Sequence, residues 1–338
     1  MNKTLKTLCG LPGVSGHEGA VREYIESRAK PRADSLRTDR LGNLLVYREG
    51  ADRNAPPLML CAHMDEAGLI IRSATGGGYL KFVCAGSIDR RVLPGRRVFI
   101  GDKRIPGIIG MRAAHISGGD TKIPKIEDMY IDAGFNSESE ANAAVELGEY
   151  AVFDGKWRDF GDGMIRAKAI DDRAGCAVLL KLMENRYQRG VWYVFTVQEE
   201  IGMRGAFGAA FAIEPAAAIA VECTTAADIP SLPPHRQVCR PGGGVVIPFM
   251  DGGTVYDRKL YQQLRAAADG LGIKWQTKEY VAGGTDAAAI QRTRGGCPVA
   301  AIAVAARYIH SPSCVVKAEE CEQVTDVLRE FIGGLDVV

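Results

Sequence analysis

Apolar and polar positions alternate along this chain in two different ways. In residues 1–70 and again in residues 161–338, near-continuous apolar runs alternate with amphipathic stretches that have helical spacing. The apolar runs include LMLCA, VWYVFTV, AAAIAVE and PVAAIAVAA, and the amphipathic stretches include RAGCAVLLKLMENRYQ and DRKLYQQLRAAADGLG. Buried strands that alternate with helices are typical of a mostly parallel sheet covered by helices on both faces. These two parts of the sequence therefore predict one α/β domain.

The intervening residues, 71–160, have a different pattern. Short β-like runs are broken by Gly, Pro and Asp, and they include YLKFVCA, RRVFI, RIPGIIG and YAVFDG. One helical stretch, NSESEANAAVEL, interrupts them. Short strands with frequent turn signals indicate a small barrel or sandwich. We therefore expect a small β-barrel domain inserted into the α/β domain.

The composition is that of an ordinary globular protein and narrows the choice of partners. The net charge is +1, with 46% hydrophobic and 25% charged residues, which gives no electrostatic reason to expect nucleic acid or membrane as a partner. No window approaches the roughly 18 apolar residues of a membrane-spanning helix, and MNKTLKTLCGLPGVSG lacks the apolar core of a signal peptide. Nine cysteines without a CxxC pair predict reduced, mostly buried thiols. The expected location is the cytoplasm.

Acidic and histidine side chains follow five of the predicted strands. Ligands of an open α/β sheet bind at the carboxyl edge of its strands. The residues at these five ends are His63, Asp171 with Asp172, Glu199 with Glu200, Glu222, and His310. Each has an ordinary explanation by itself, such as a helix N-cap for the Asp pair or a polar strand exit for the Glu pair. Together at one edge they require a compensating charge, and a divalent metal supplies it.

Two imidazoles and three carboxylates suit Zn²⁺, Co²⁺ or Mn²⁺. Five ligands exceed what one catalytic zinc takes from a protein, but they fit two metals that share a carboxylate and a water. Side chains of adjacent strand residues point to opposite faces, so Glu199 and Glu200 are not expected to have the same role. One of them can bind metal while the other accepts a proton from the water.

These stretches resemble a known family, the dinuclear metallo-aminopeptidases of the glutamyl aminopeptidase and tetrahedral (TET) aminopeptidase group. The matching segments are AHMDEAG, AIDDRAG, TVQEEIGMRGA, AVECTTAADIP, GGTDAAAI and RYIHSP. KIPKIEDMYIDAG, residues 122–134, also resembles the dimerisation domain of this family. The resemblance covers most of the chain. It implies removal of the N-terminal residue from peptides by a homodimer, with a dodecameric shell as the larger assembly.

The resemblance also implies two divalent metal ions per subunit, zinc or cobalt, and a role for each residue. One metal would be held by His63, Asp171 and Glu222, and the other by Asp171, Glu200 and His310, with Asp171 bridging. Glu199 would be the general base, and Asp65 would orient His63 through the second ring nitrogen. A cis peptide bond between Asp171 and Asp172 is expected as well.

Several positions depart from the family pattern or have more than one interpretation. Relatives often have Asp in place of Glu222, and Cys314 occupies a position where an acid is expected. Thr285 and Asp286 are candidates for the substrate side-chain pocket, although a glycine turn with a threonine N-cap also accounts for them. Arg173 could contact an acidic substrate, but a surface or helix-face position is the simpler interpretation.

Two other functions are compatible with the same residues. One is a deacylase or carboxypeptidase on the related dinuclear scaffold, which the family-like insert disfavours. The other is a non-catalytic binding protein with a vestigial site, which the intact set of ligands disfavours. The sequence does not determine which N-terminal residue is removed, or which metal is used.

Overall fold

A computed structural model describes residues 1–113, 115–116 and 122–334 of the chain. Eight α-helices lie in these residues. They are α1 Asn2–Gly10, α2 Gly19–Ala29, α3 Glu138–Ala144, α4 Ile170–Leu182, α5 Arg204–Ile213, α6 Arg258–Gly270, α7 Ala287–Gln291 and α8 Ala318–Gly334.

Seventeen strands lie in the same described residues, eleven in one large sheet and six in a closed barrel. The first nine are β1 Ser35–Thr38, β2 Leu44–Arg48, β3 Leu58–His63, β4 Gly68–Ala74, β5 Leu80–Ala85, β6 Arg97–Ile100, β7 Ile105–Gly110, β8 Tyr130–Asp132 and β9 Tyr150–Phe153. The others are β10 Arg158–Asp159, β11 Met164–Ala167, β12 Val191–Thr196, β13 Ala217–Thr225, β14 Val245–Val246, β15 Trp275–Gln276, β16 Val299–Arg307 and β17 Cys314–Lys317.

The large sheet is parallel at its centre and antiparallel at both sides. Strands β12, β3, β13 and β16 lie next to one another in that order and run parallel. β2 pairs antiparallel with β12 on one side, and β17 pairs antiparallel with β16 on the other. The carboxyl ends of the four central strands therefore meet at one edge of the sheet.

Helices cover both faces of this sheet. Alternate residues of β3 face opposite sides, because Leu58 and Leu60 join one apolar cluster while Met59 and Cys61 join another. Residues of α1, α2, α4, α6 and α8 complete the first cluster, and residues of α5 and α7 complete the second. The predicted α/β class is confirmed. The sheet is parallel at its centre, as predicted, and antiparallel strands extend it on both sides.

The predicted barrel is confirmed. Strands β4, β5, β8, β7, β6 and β9 close in that order. Side chains from different strands fill its interior, including Leu69, Phe82, Val98 and Ile131. The predicted helical stretch forms α3, where the Ser137 hydroxyl accepts a hydrogen bond from the Glu140 N–H.

The barrel strands extend from Gly68 to Phe153. The predicted boundary between residues 70 and 71 falls inside β4, and the boundary at 160 follows β10 by one residue. Domain limits of 1–70, 71–160 and 161–338 stay a prediction.

Two local predictions are wrong. Glu222 lies within β13 instead of after it, because β16 supports β13 as far as Thr225 although β3 pairs only as far as Ala220. The stretch KWQTKEY is a strand only at Trp275–Gln276, because its parallel partner β14 is two residues long. The following residues form a loop that contains the buried Lys278.

No helix in the part of the chain that the structure describes has both the length and the apolar character needed to span a bilayer.

Candidate active site

The five candidate ligands meet at the carboxyl edge of the large sheet. β3 ends at His63, β13 carries Glu222, and the first turn of α4 carries Asp171. Glu200 lies in the loop after β12, and His310 in the loop after β16. Residues distant along the sequence are thus brought together because the central strands are parallel and end at the same level.

The ligand atoms form two groups that share Asp171. His63 Nε2 lies 3.5 Å from Asp171 Oδ1 and 3.7 Å from Glu222 Oε2. His310 Nε2 lies 3.5 Å from Asp171 Oδ2 and 3.3 Å from Glu200 Oε2. In each group the three ligand atoms lie within 4.8 Å of one another. Each oxygen of Asp171 therefore faces a different group.

A third close group, Asp171, Asp172 and Cys223, is less available for a metal. The Cys223 thiol donates a hydrogen bond to the Ile170 carbonyl, and Asp172 Oδ1 accepts one from the Gly175 N–H. Burial raises the pKa of Cys223 well above its ordinary value, so the thiol keeps its proton.

Asp65 fixes both His63 and the loop that carries the Glu pair. His63 Nδ1 lies 3.1 Å from the Asp65 carbonyl oxygen and 3.4 Å from its Oδ1. The Asp65 carboxylate also accepts the N–H groups of Glu199 and Glu200, at 3.0 and 3.1 Å, and the Ser15 hydroxyl at 2.6 Å. His310 Nδ1 is fixed separately, 2.8 Å from the Ser87 carbonyl oxygen. Both imidazoles therefore present Nε2 to the carboxylates.

The buried acids lack sufficient positive charge from the protein itself. Burial raises the pKa of Glu199 to about 8 and that of Glu200 to about 7, and it raises the pKa of Glu222 well above its ordinary value. Among the described residues, Glu222 Oε1 is buried without a hydrogen-bond partner. Burial opposes a charge on His310, but Asp171 and Glu200 outweigh it and raise its pKa to about 9. The carboxylates around Nε2 of His310 therefore favour a positive charge at that atom. Either a proton or a divalent metal ion can supply it, and the two compete for the same nitrogen.

A cavity of about 440 Å³ opens beside the two groups. Its wall includes all five candidate ligands together with Glu199, which belongs to neither group. Thr285 also lines it. Asp286 is fully buried behind Thr196, whose hydroxyl donates to Asp286 Oδ2 at 2.5 Å, and it is not part of the cavity wall in the described residues.

The sequence matches one known protein family over most of its length. The sequence profile of the family described as M42 glutamyl aminopeptidase matches residues 42–327. The chain belongs to this family. It is therefore an aminopeptidase, a hydrolase of peptide bonds. The resemblance stated from the sequence is confirmed, and so is the cis peptide bond between Asp171 and Asp172.

Two relatives and one solved structure illustrate how far the match to this M42 chain extends. The glutamyl aminopeptidase of Lactococcus lactis subsp. cremoris is 30% identical, with 98% of this chain and 96% of the relative covered. The lysyl aminopeptidase of Pyrococcus furiosus is 27% identical, with 98% and 96% covered. The solved structure of the Pyrococcus horikoshii TET1 peptidase, at 30% identity, has a TM-score of 0.88 and covers 99% of each chain.

The position of Arg173 in the M42 chain differs from both interpretations of the sequence. Its side chain is fully buried, away from the surface and outside the cavity wall. Its guanidinium donates to the Leu8 carbonyl at 2.6 Å and lies 3.3 Å from Glu66 Oε1. Lys168 Nζ contacts the same carboxylate at 2.6 Å. Arg173, Lys168 and Glu66 therefore form a buried charge cluster, and Arg173 connects α4 to α1 through it.

The two departures from the family pattern have different consequences. Glu222 reaches the first ligand group in spite of its extra methylene. Cys314 is buried at the start of β17, and burial raises its pKa well above the ordinary value. Cys314 is therefore a packed, protonated thiol. All nine cysteines are free and eight are buried, as the sequence predicts.

Sequence reasoning missed three residues of the M42 site. Ser15 and Ser87 reach it from loops outside the large sheet, and Lys278 reaches the cavity from the segment predicted as a strand. Ser15 lies in the glycine-flanked stretch GVSGHEG, which indicates a tight loop and no particular chemistry.

Proposed function

We propose that this aminopeptidase removes the N-terminal residue of peptides with two divalent metal ions, zinc or cobalt, and with Glu199 as the general base. The observation that carries the proposal is the pair of ligand groups that share Asp171, with Glu199 beside them on the cavity wall. His63, Asp171 and Glu222 would hold one ion, and Asp171, Glu200 and His310 the other. Nitrogen and carboxylate ligands of this kind suit zinc and cobalt.

When bound, two such ions polarise the carbonyl of the scissile bond and lower the pKa of a water molecule. The side chains of the protein perform the remaining steps. The Glu199 carboxylate accepts a proton from the water and returns it to the nitrogen of the departing peptide. Asp65 holds the Glu199 and Glu200 backbone in place through its two accepted N–H groups. The Asp65 contacts also fix the ring of His63.

Substitution Glu199→Gln tests the proposed base. The amide has the size of the acid but does not accept the proton, so we expect kcat to fall by about 10²–10⁴-fold. Elemental analysis should show the same metal content as in the wild type, because Glu199 belongs to neither ligand group. Retained activity on aminoacyl-anilides would show that the base is assigned wrongly.

We also propose self-association of the chain in the cytoplasm, as a homodimer through the barrel and as a dodecamer. The related Pyrococcus horikoshii TET1 peptidase can assemble into a tetrahedron or a large octahedral shell. The barrel of the present chain exposes apolar side chains on its outer surface, including Val83, Ile108 and Met111. Light scattering should give a mass of two or twelve times the 36.4 kDa chain, and a monomer would contradict the proposal.

A further inference from the structure

A buried lysine forms part of the wall of the active-site cavity. Lys278 lies in the loop after β15 and is 3% exposed. It lines the same cavity as His63, Glu222 and Thr285. Burial of an ammonium group is costly unless the group finds partners, so a lysine at this position requires a reason.

The ammonium group of Lys278 has unused hydrogen-bonding capacity. Nζ donates to the Ala282 carbonyl at 3.0 Å. Within the described part of the chain it has no other hydrogen bond and no carboxylate within 4 Å. An ammonium group carries three N–H donors. Two donors are therefore left for a ligand in the cavity.

Asp251 acts on Lys278 through its charge and not through a direct contact. Burial lowers the pKa of Lys278 from its ordinary value, and the charge of Asp251 opposes that fall. The Asp251 carboxylate is already occupied by the Tyr256 hydroxyl at 2.6 Å and the Gly253 N–H at 2.7 Å. Asp251 therefore favours the charged lysine without using its free donors.

Lys278 gives the cavity wall a positive charge. Among the described residues of the wall it is the one Lys or Arg. The same wall carries four carboxylates, those of Asp171, Glu199, Glu200 and Glu222. Two divalent ions would balance these four charges, and Lys278 would then be left with the charge of Asp251, which it does not contact. The wall also includes the small residues Thr225, Gly283 and Gly284.

We infer that Lys278 binds the side-chain carboxylate of an N-terminal glutamate or aspartate, and that this chain is selective for peptides with an acidic first residue. The inference rests on the proposed function, because the ions there hold the reacting end of the same residue. Family membership does not decide the point, since one relative is named a glutamyl and another a lysyl aminopeptidase.

The test is the ratio of kcat/KM for glutamyl-anilide to that for glutaminyl-anilide. The two side chains have the same shape and differ in charge. We expect the zinc- or cobalt-loaded wild type to prefer glutamyl-anilide by about tenfold or more, because glutamine replaces the ion pair with a hydrogen bond between the ammonium and a neutral amide. Lys278→Met removes the ammonium and should bring the ratio close to one. Lys274→Met is the matched control, since Lys274 is exposed in the same segment and its loss should leave the ratio unchanged.

The outcomes separate this inference from the proposed function. Turnover of leucyl- or lysyl-anilide without a preference for glutamyl over glutaminyl would overturn the inference and leave the proposed function standing. A ratio that survives Lys278→Met would overturn it as well. Failure of the wild type to cleave any aminoacyl-anilide with either metal would contradict both. If Lys278→Met does not fold, the wild-type ratio decides, together with stronger competitive inhibition by free glutamate than by glutamine.

Discussion

At the scale of single residues, the sequence indicated the candidate ligands and the supporting Asp65, but not the site residues that loops contribute. His63, Glu200 and His310 could be found because each follows an apolar run that ends at the edge of the sheet. Ser15 and Lys278 could not, because loops bring them to the site and nothing in their neighbours marks them. The sequence also does not show which charged residues are buried. Arg173 is of a residue type expected at the surface, but its side chain is fully buried.

Glu320 provides a prediction at this scale, away from the metal ligands. Its carboxylate is buried and accepts the N–H groups of Gly242 and Gly244, at 2.9 and 2.8 Å. Burial raises its pKa to about 7 from an ordinary value of 4.5. The folded state therefore holds the proton more tightly than the unfolded state. Stability from this group is complete below pH 4.5 and is lost as the pH rises through 7.

Glu320→Gln should remove that loss, because an amide keeps the oxygen acceptor and does not ionise. We expect the drop in unfolding free energy between pH 5 and pH 8 to be smaller in the variant by about 2 kcal/mol. Urea unfolding at the two pH values measures it. Glu330→Gln, at an exposed position on the same helix, is the control and should match the wild type. Equal pH dependence in Glu320→Gln and wild type would contradict the argument.

At the scale of elements, the sequence predicted the central strands and long helices, because their burial imposes regular apolar patterns. It predicted β15 too long, since the length of a strand depends on its partner and β14 has two residues. The start of α5 shows another contact that pattern cannot reveal. Asn43 donates to the Gly205 carbonyl at 2.9 Å and accepts the Val197 N–H, so it joins α5 to the loop that carries Glu199.

Gly205→Ala tests this junction. A Cβ atom at Gly205 would lie 2.2 Å from Asn43 Oδ1 and 2.5 Å from the Val197 carbonyl oxygen, so the backbone must shift. We expect a loss of about 1–3 kcal/mol in unfolding free energy and a reduced kcat. In the part of the chain that the structure describes, a Cβ atom at Gly208 in the same helix would meet only Leu41, at 3.6 Å. Gly208→Ala should therefore be neutral or stabilising by up to about 1 kcal/mol. Similar urea midpoints for the two variants would contradict the assigned contact.

At the scale of the whole molecule, the α/β class and the inserted barrel followed from the two patterns of apolar and polar residues along the sequence. The sequence did not show how the parts meet. The Ser87 carbonyl, which follows the barrel strand β5, contacts the ring of His310 beyond β16. The barrel thus helps to position a candidate ligand, in addition to the role in association that we propose for its outer surface. Long-range contacts of this kind depend on loop paths that no local pattern determines.

The central claim is that Asp171 lies between two metal ions held by five side chains. X-ray diffraction from a zinc-soaked crystal, recorded at the zinc absorption edge, tests it directly. The account predicts two anomalous peaks per chain, one beside His63 and Glu222 and the other beside Glu200 and His310, with Asp171 contacting both. A single peak, or no peak within this cluster, would contradict it.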